Sequence, residues 1–227
     1  VPHFHYTVLY DEWAQMLSNN GYMVVQPQYR MSHGYGKDHF LSAFINGSEA
    51  GRKMQDDKDD AALYLVERGL ADPDRLAMYG WSYGGYAALV AASRTPQIYQ
   101  CTIAGAAVSN YRIIANDFQR RKPRGVSKVW RDVYEYGAIH PTEEASKVNV
   151  PVFVIHGNVD ARVLLKQAKI YLKELEEHGK THKYLELDGA SHFGAELFYN
   201  HKIELYTSII DFLENDCGTM STMQAKN

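Results

Sequence analysis

The chain has 227 residues, 24 basic and 27 acidic side chains, and a formal net charge of −3. That balance offers no basic surface to a phosphate backbone, so nucleic-acid binding has no compositional support. No apolar stretch reaches the roughly 18 residues of a bilayer-spanning helix, while an apolar content of 45 % suits a folded domain with a sizeable core.

The chain opens on Val1, so its N-terminus is expected to be processed, engineered or incomplete. Its first segment, VPHFHYTVLYDEWAQMLSNNG, is aromatic-rich, with a short helix expected over Asp11–Leu17, stopped by Asn19, Asn20 and Gly21. YMVVQP, 22–27, is a compact buried-strand candidate ended by Pro27, and glycines 34 and 36 mark a loop. From Glu49 to Glu67, Ala61, Ala62, Leu65 and Val66 fall at amphipathic-helix spacing. DPDR, 72–75, is a turn. RLAMYG then reads as a strand and YAALVAAS as a helix. CTIAGAAV, 101–108, is strand-like. The pattern loosens from Ser109 to Val148, where Arg120, Arg121, Lys122 and Arg124 are read as a solvated loop and SKVWRDVYEYG as a short helix. PVFVIHG, 151–157, is a buried strand, LLKQAKIYLKELEEHG a helix, HKYLELDG a half-buried strand and KIELYTSIIDFLEND the last helix.

Strands alternating with helices predict an α/β fold with a mostly parallel sheet and helices on both faces. Residues 1–217 are read as one domain and 218–227 as a polar, mobile tail. Cys101 and Cys217 are far apart and are expected as free thiols, Cys101 as a small core residue. Two isolated thiols favour a reducing, cytoplasmic setting. His3 and His5 could share a strand face, but no third ligand falls at metal spacing. DDKDD, 56–60, lacks the glycine and alternation of a calcium loop and reads as the solvated start of a helix.

Chemistry concentrates in GWSYGG, 80–85. A serine that leaves a strand and enters a helix at once can lift its hydroxyl clear of the sheet. That turn is crowded, so the positions two before and two after, Gly80 and Gly84, must be small. The Tyr83 N–H then stands at a helix start, where it can donate to an oxygen turning negative. A serine needs a base, and the base an orienting carboxylate, each in a loop at the carboxyl end of a later strand. Asp160 follows PVFVIHG and His192 follows HKYLEL, in the expected order. Asp188 is a rival acid, four residues before His192. His156 and His201 are poorer bases, His156 being read as a packed or hydrogen-bonded structural histidine. Trp81 lines an acyl pocket or packs below the turn, and Tyr111, Trp130 and Tyr134 are candidates for a pocket wall. No metal or organic cofactor is implied.

The stretches GYMVVQPQYRMSHGYGKDHF, GLADPDRLAMYGWSYGGYAAL, VPVFVIHGNVDARV and LELDGASHFG resemble the catalytic domain of the prolyl oligopeptidase family of serine peptidases, in its dipeptidyl-peptidase and acylaminoacyl-peptidase branches. The resemblance runs from about Gly21 to Cys217. It implies an α/β-hydrolase fold, with nucleophile Ser82, acid Asp160 and base His192. It also implies short peptides as substrates and an N-terminal β-propeller in the parent chain. The usual HGG-type loop would precede Val1, and a second oxyanion donor is expected from there. The chain departs from the pattern at Gln28, where an asparagine is usual, and at Met31-Ser32, where Gly-Ser is common. The same triad also serves carboxylesterases, and a non-catalytic scaffold on the same fold is the third reading.

Overall fold

The computed structural model of the chain describes residues 11–44, 49–121, 138–192 and 196–217. His3, His5, Lys122, Arg124, Trp130, Tyr134, the expected helix over 127–137 and the tail from Gly218 lie outside them. The chain divides into two compact units, Val1–Pro73 with Ala115–Ile139, and Asp74–Ile114 with His140–Asn227.

The first unit holds α1 (Glu12–Asn19), α2 (Lys37–Leu41) and α3 (Lys53–Glu67). Asp11 caps α1: its Oδ1 accepts from the N–H groups of Trp13 and Ala14, both at 3.0 Å. The expected strand 22–27 does not form. The segment has no regular secondary structure and joins no ladder among the described residues, and Met23 and Val25 are 57 % and 47 % exposed. The DDKDD run begins in the first turn of α3, as a helix start should, but it is not solvated throughout, since Lys58 within it is buried. Its Asp57 accepts from Arg30 Nε at 2.7 Å and Nη2 at 2.5 Å. Burial pushes the Asp57 carboxyl up, but the Arg30 hydrogen bonds outweigh it and hold it below its usual range. Lys58 is buried, with Nζ 3.4 Å from the centre of the Tyr29 ring and donating to the Met54 carbonyl at 2.5 Å.

The second unit carries a four-stranded parallel sheet in the order β1 (Ala77–Trp81), β2 (Cys101–Gly105), β3 (Val152–Gly157) and β4 (His182–Leu187). Its helices are α4 (Tyr83–Ala91), the start of α5 (Tyr111–Arg121), α6 (Pro141–Glu144), α7 (Lys166–Glu177) and α8 (Tyr199–Asn215). Alternation along β3 feeds two cores. Val152 and Val154 pack with Ala88 and Leu89 of α4 and Leu172 and Leu175 of α7. Phe153 faces the other way and meets Phe212 of α8, ring centres 5.1 Å apart. Each such side chain contributes about 1.5–3 kcal/mol by leaving water. The expected fold class is therefore observed: a parallel sheet flanked by helices on both faces, of the α/β-hydrolase type.

Two expectations are corrected here. The polar stretch after Ser109 is helix α5, not a loop, and Arg120 and Arg121 fall at its end. Its start is set by Asn110, whose Oδ1 accepts from Arg112 N at 3.0 Å and Ile113 N at 3.4 Å. Cys101 and Cys217 are not free thiols but a disulfide, with Cα atoms 5.1 Å apart. The start of β2 and the residue two beyond α8 are distant in sequence and adjacent in space. Among the described residues no helix is long and apolar enough to cross a membrane.

Candidate active site

Strand β1 delivers the chain into a sharp turn at Ser82, whose φ of 58° and ψ of −112° lie where non-glycine residues rarely go. The turn is held from both sides. Ser82 N–H donates to the Gly105 carbonyl at 2.8 Å, and the Ser82 carbonyl accepts from Tyr86 N–H at 2.9 Å as α4 begins. The crowding is distributed differently from the expected pattern. A Cβ on Gly80 would sit 2.3 Å from the Gly84 carbonyl carbon, whereas one on Gly84 would meet nothing within 4 Å. The second tight position is Gly85, where a Cβ would come 2.4 Å from the Gly105 carbonyl oxygen.

Strand β3 ends at Gly157, and the next loop carries Asp160, which is 3 % exposed. Its Oδ1 accepts from the N–H groups of Arg162 and Val163, both at 2.8 Å. Its Oδ2 faces His192 Nδ1 at 2.7 Å. His192 lies in the loop after β4 and is 4 % exposed, with Nε2 2.9 Å from Ser82 Oγ. A carboxylate can only accept, so Nδ1 carries the ring proton and Nε2 presents its lone pair to the serine hydroxyl. The structure thus brings Ser82, His192 and Asp160 into one hydrogen-bonded line from three separate strand ends.

The rival groups are engaged elsewhere. Asp188 is exposed and accepts from Asn158 Nδ2 at 2.7 Å. His201 accepts at Nδ1 from Phe198 N–H at 3.3 Å, so its Nε2 donates to the Asp188 carbonyl at 2.8 Å. His156 is fully buried on β3, with Nε2 2.8 Å from the Val163 carbonyl.

Tyr83 opens α4, so its N–H stands at the positive end of that helix. Its side chain is buried and packs on Tyr86, whose ring meets the edge of Tyr111 at 4.9 Å. Tyr111 is anchored through its N–H, which donates to His140 Nδ1 at 3.1 Å. The loop before it is clamped by Gln167 of α7, whose Oε1 accepts from the N–H groups of Ser109 and Asn110 at 3.0 and 2.9 Å. Trp81 is a different kind of neighbour. Its indole covers Gly105 of β2, and its Nε1–H donates to the His192 carbonyl at 2.7 Å. Neither the Trp81 bond nor the Gln167 clamp had a local signal in the sequence, since each spans more than fifty positions. Among the described residues no cluster of three or more histidine, cysteine or acidic side chains is set to hold a metal ion.

Residues 9–219 match the family model described as the prolyl oligopeptidase family. Dipeptidyl aminopeptidase BIII of Pseudoxanthomonas mexicana is 43 % identical over 94 residues, covering 41 % of this chain and 13 % of that protein. Dipeptidyl peptidase family member 6 of Caenorhabditis elegans is 32 % identical over 171 residues, covering 71 % of this chain and 23 % of that one. The fold is shared with the uncomplexed acylaminoacyl peptidase of Pyrococcus horikoshii, with a TM-score of 0.69 at 20 % identity, over 84 % of this chain and 32 % of that one. The chain thus spans less than a third of the length of each of these relatives. With nearly its whole length matched, the chain belongs to the prolyl oligopeptidase family.

Proposed function

We propose that this chain carries the catalytic site of a serine peptidase acting on short peptides, in the manner of a dipeptidyl or acylaminoacyl peptidase. The observation that carries the reading is the line Ser82 Oγ–His192 Nε2 at 2.9 Å and His192 Nδ1–Asp160 Oδ2 at 2.7 Å, at the strained turn after β1. Ser82 attacks the scissile carbonyl while His192 takes its proton at Nε2. The resulting imidazolium is stabilised by Asp160, which keeps Nδ1 protonated throughout. The carbonyl oxygen, now an oxyanion, accepts from the Tyr83 N–H at the start of α4. His192 returns the proton to the leaving amine. It then activates a water that splits the acyl-enzyme and frees Ser82. No cofactor takes part in this sequence.

Peptides are favoured over simple esters by family membership and by the relatives, one named as a dipeptidyl aminopeptidase and one as a dipeptidyl peptidase family member. Tyr111, on the ring cluster that begins at Tyr83, is proposed as a wall of the substrate pocket. A propeller elsewhere in the protein would set substrate length. The disulfide favours an oxidising compartment over the cytoplasm.

The test is a mixed short-peptide library given to the protein at its full natural length, with products read by mass spectrometry beside Ser82→Ala. Dipeptides or acylated single residues released only by the wild type support the reading. Labelling of Ser82 by a fluorophosphonate without any peptide cut overturns it in favour of an esterase.

A further inference from the structure

The loop that presents Asp160 is anchored from inside the sheet by a histidine. His156, the penultimate residue of β3, is fully buried and turns its ring toward the loop that follows its own strand. Its Nε2 lies 2.8 Å from the Val163 carbonyl, which can only accept, so Nε2 carries the ring proton and donates to that carbonyl. The same nitrogen is 3.6 Å from Asp160 Oδ2, too long for a hydrogen bond but within electrostatic contact. Val163 is held at its other end as well, since its N–H donates to Asp160 Oδ1 at 2.8 Å. One peptide unit on each side of Val163 thus ties the imidazole of His156 to the carboxylate of Asp160.

We propose that His156 is a positioning residue for the acid: its Nε2–H fixes the Val163 carbonyl and so closes the backbone ring from His156 to Val163 that aims Asp160 Oδ2 at His192. The inference rests on the triad reading above and deepens it. The ring works only with His156 neutral. A second proton, at Nδ1, would find no acceptor, because Nδ1 is buried with no hydrogen-bond partner among the described residues. Burial holds this imidazole below its usual range, and the His192 charge acts in the same direction. The Val163 carbonyl, Asp160 from the acid loop and Glu186, its register partner on β4, act against it. The role differs from core packing, because an apolar side chain of similar size would fill the space and leave the Val163 carbonyl buried and unpaired.

The test compares His156→Gln, His156→Asn and His156→Leu in the protein at its full natural length. A glutamine amide reaches the Nε2 position; an asparagine amide stops one bond short. Three readouts are used: the rate of Ser82 labelling by a fluorophosphonate, the pH at which that rate falls on the acid side, and the low-field proton resonance of His192 Nδ1–H. His156→Leu is expected to slow labelling by roughly 10²-fold, the scale of a misplacement of about 1 Å. Its acid limb should move to lower pH, because a misaimed carboxylate stabilises the imidazolium less, and the low-field resonance should move upfield. His156→Gln should restore all three. Wild-type rate and acid limb in a folded His156→Leu would overturn the proposal. If His156→Leu does not fold, Gln against Asn decides: retention by Gln with loss by Asn supports the ring, and equal behaviour overturns it. If Ser82 is not labelled even in the wild type, the peptidase reading fails, and the resonance alone then judges the role of His156.

Discussion

The indole N–H of Trp81 donates to the backbone carbonyl of His192 at 2.7 Å, across 111 positions of sequence. The residue immediately before the nucleophile therefore holds the main chain of the base. Trp81→Phe removes the donor and also the six-membered indole ring that covers Gly105. A hydrogen bond of about 0.5–1.5 kcal/mol is lost with that packing, so the melting temperature should fall by a few degrees, and Ser82 labelling should slow by up to about tenfold as the base loses its anchor. Labelling kinetics beside a thermal melt check both halves of the expectation.

Asp160→Asn should be far more damaging than its size suggests. Two backbone N–H groups already claim Oδ1, so the amide oxygen of the variant is drawn to them and its NH2 replaces Oδ2. A donor then faces His192 Nδ1, which must accept, and the ring proton moves to Nε2, opposite the serine. With the base in the wrong tautomer, kcat should fall by about 10⁴-fold while the fold persists. Steady-state kinetics with circular dichroism would show it.

Two glycines of the turn should behave oppositely. Gly80→Ala forces a methyl group to 2.3 Å from backbone, and neither strand nor helix can yield there. The variant should lose about 3 kcal/mol or more, or fail to fold. Gly84→Ala meets nothing within 4 Å and sits in α4, so it should be neutral or gain up to about 1 kcal/mol. Urea unfolding of the pair separates crowding from mere proximity to Ser82.

Stability should depend on pH through His156. Its imidazole is held below the usual 6.5 by burial in the folded state but titrates there when unfolded. As pH falls below about 6.5 the unfolded chain takes up a proton that the folded chain refuses, so stability drops by up to about 1.4 kcal/mol per pH unit. The loss stops at the folded-state pKa, and above 6.5 the contribution is fully present. His156→Gln should flatten this part of the curve, as followed by urea midpoints at successive pH values.

The site was more legible in the sequence than the parts around it. Ser82, Asp160 and His192 each follow a segment that reads as a strand, two of them apolar and the third alternating, and a turn residue or glycine marks each exit. Local signals therefore carried the placement. The segment 22–27 failed because β-rich composition describes a strand only when a neighbour pairs with it, and Met23 and Val25 here stand exposed. Helix α5 was hidden because its polar residues mask a start that depends on the side chain of Asn110. The disulfide was hidden for a different reason. Cys101 at the head of an apolar run suits a core thiol as well as a bonded one, and only the packing of α8 against the sheet brings Cys217 to it.

That disulfide also divides the site in an unequal way. Asp160 and His192 lie inside the loop of 116 positions that Cys101 and Cys217 close, while Ser82 lies outside it, in the turn after β1, the strand that pairs with the one Cys101 begins. A single backbone cut anywhere between the two cysteines therefore leaves every piece covalently joined. A cut between Ser82 and Cys101 separates the nucleophile from its base and acid once the fold is lost. Nicked protein should migrate as one band without reductant in the first case and as two in the second.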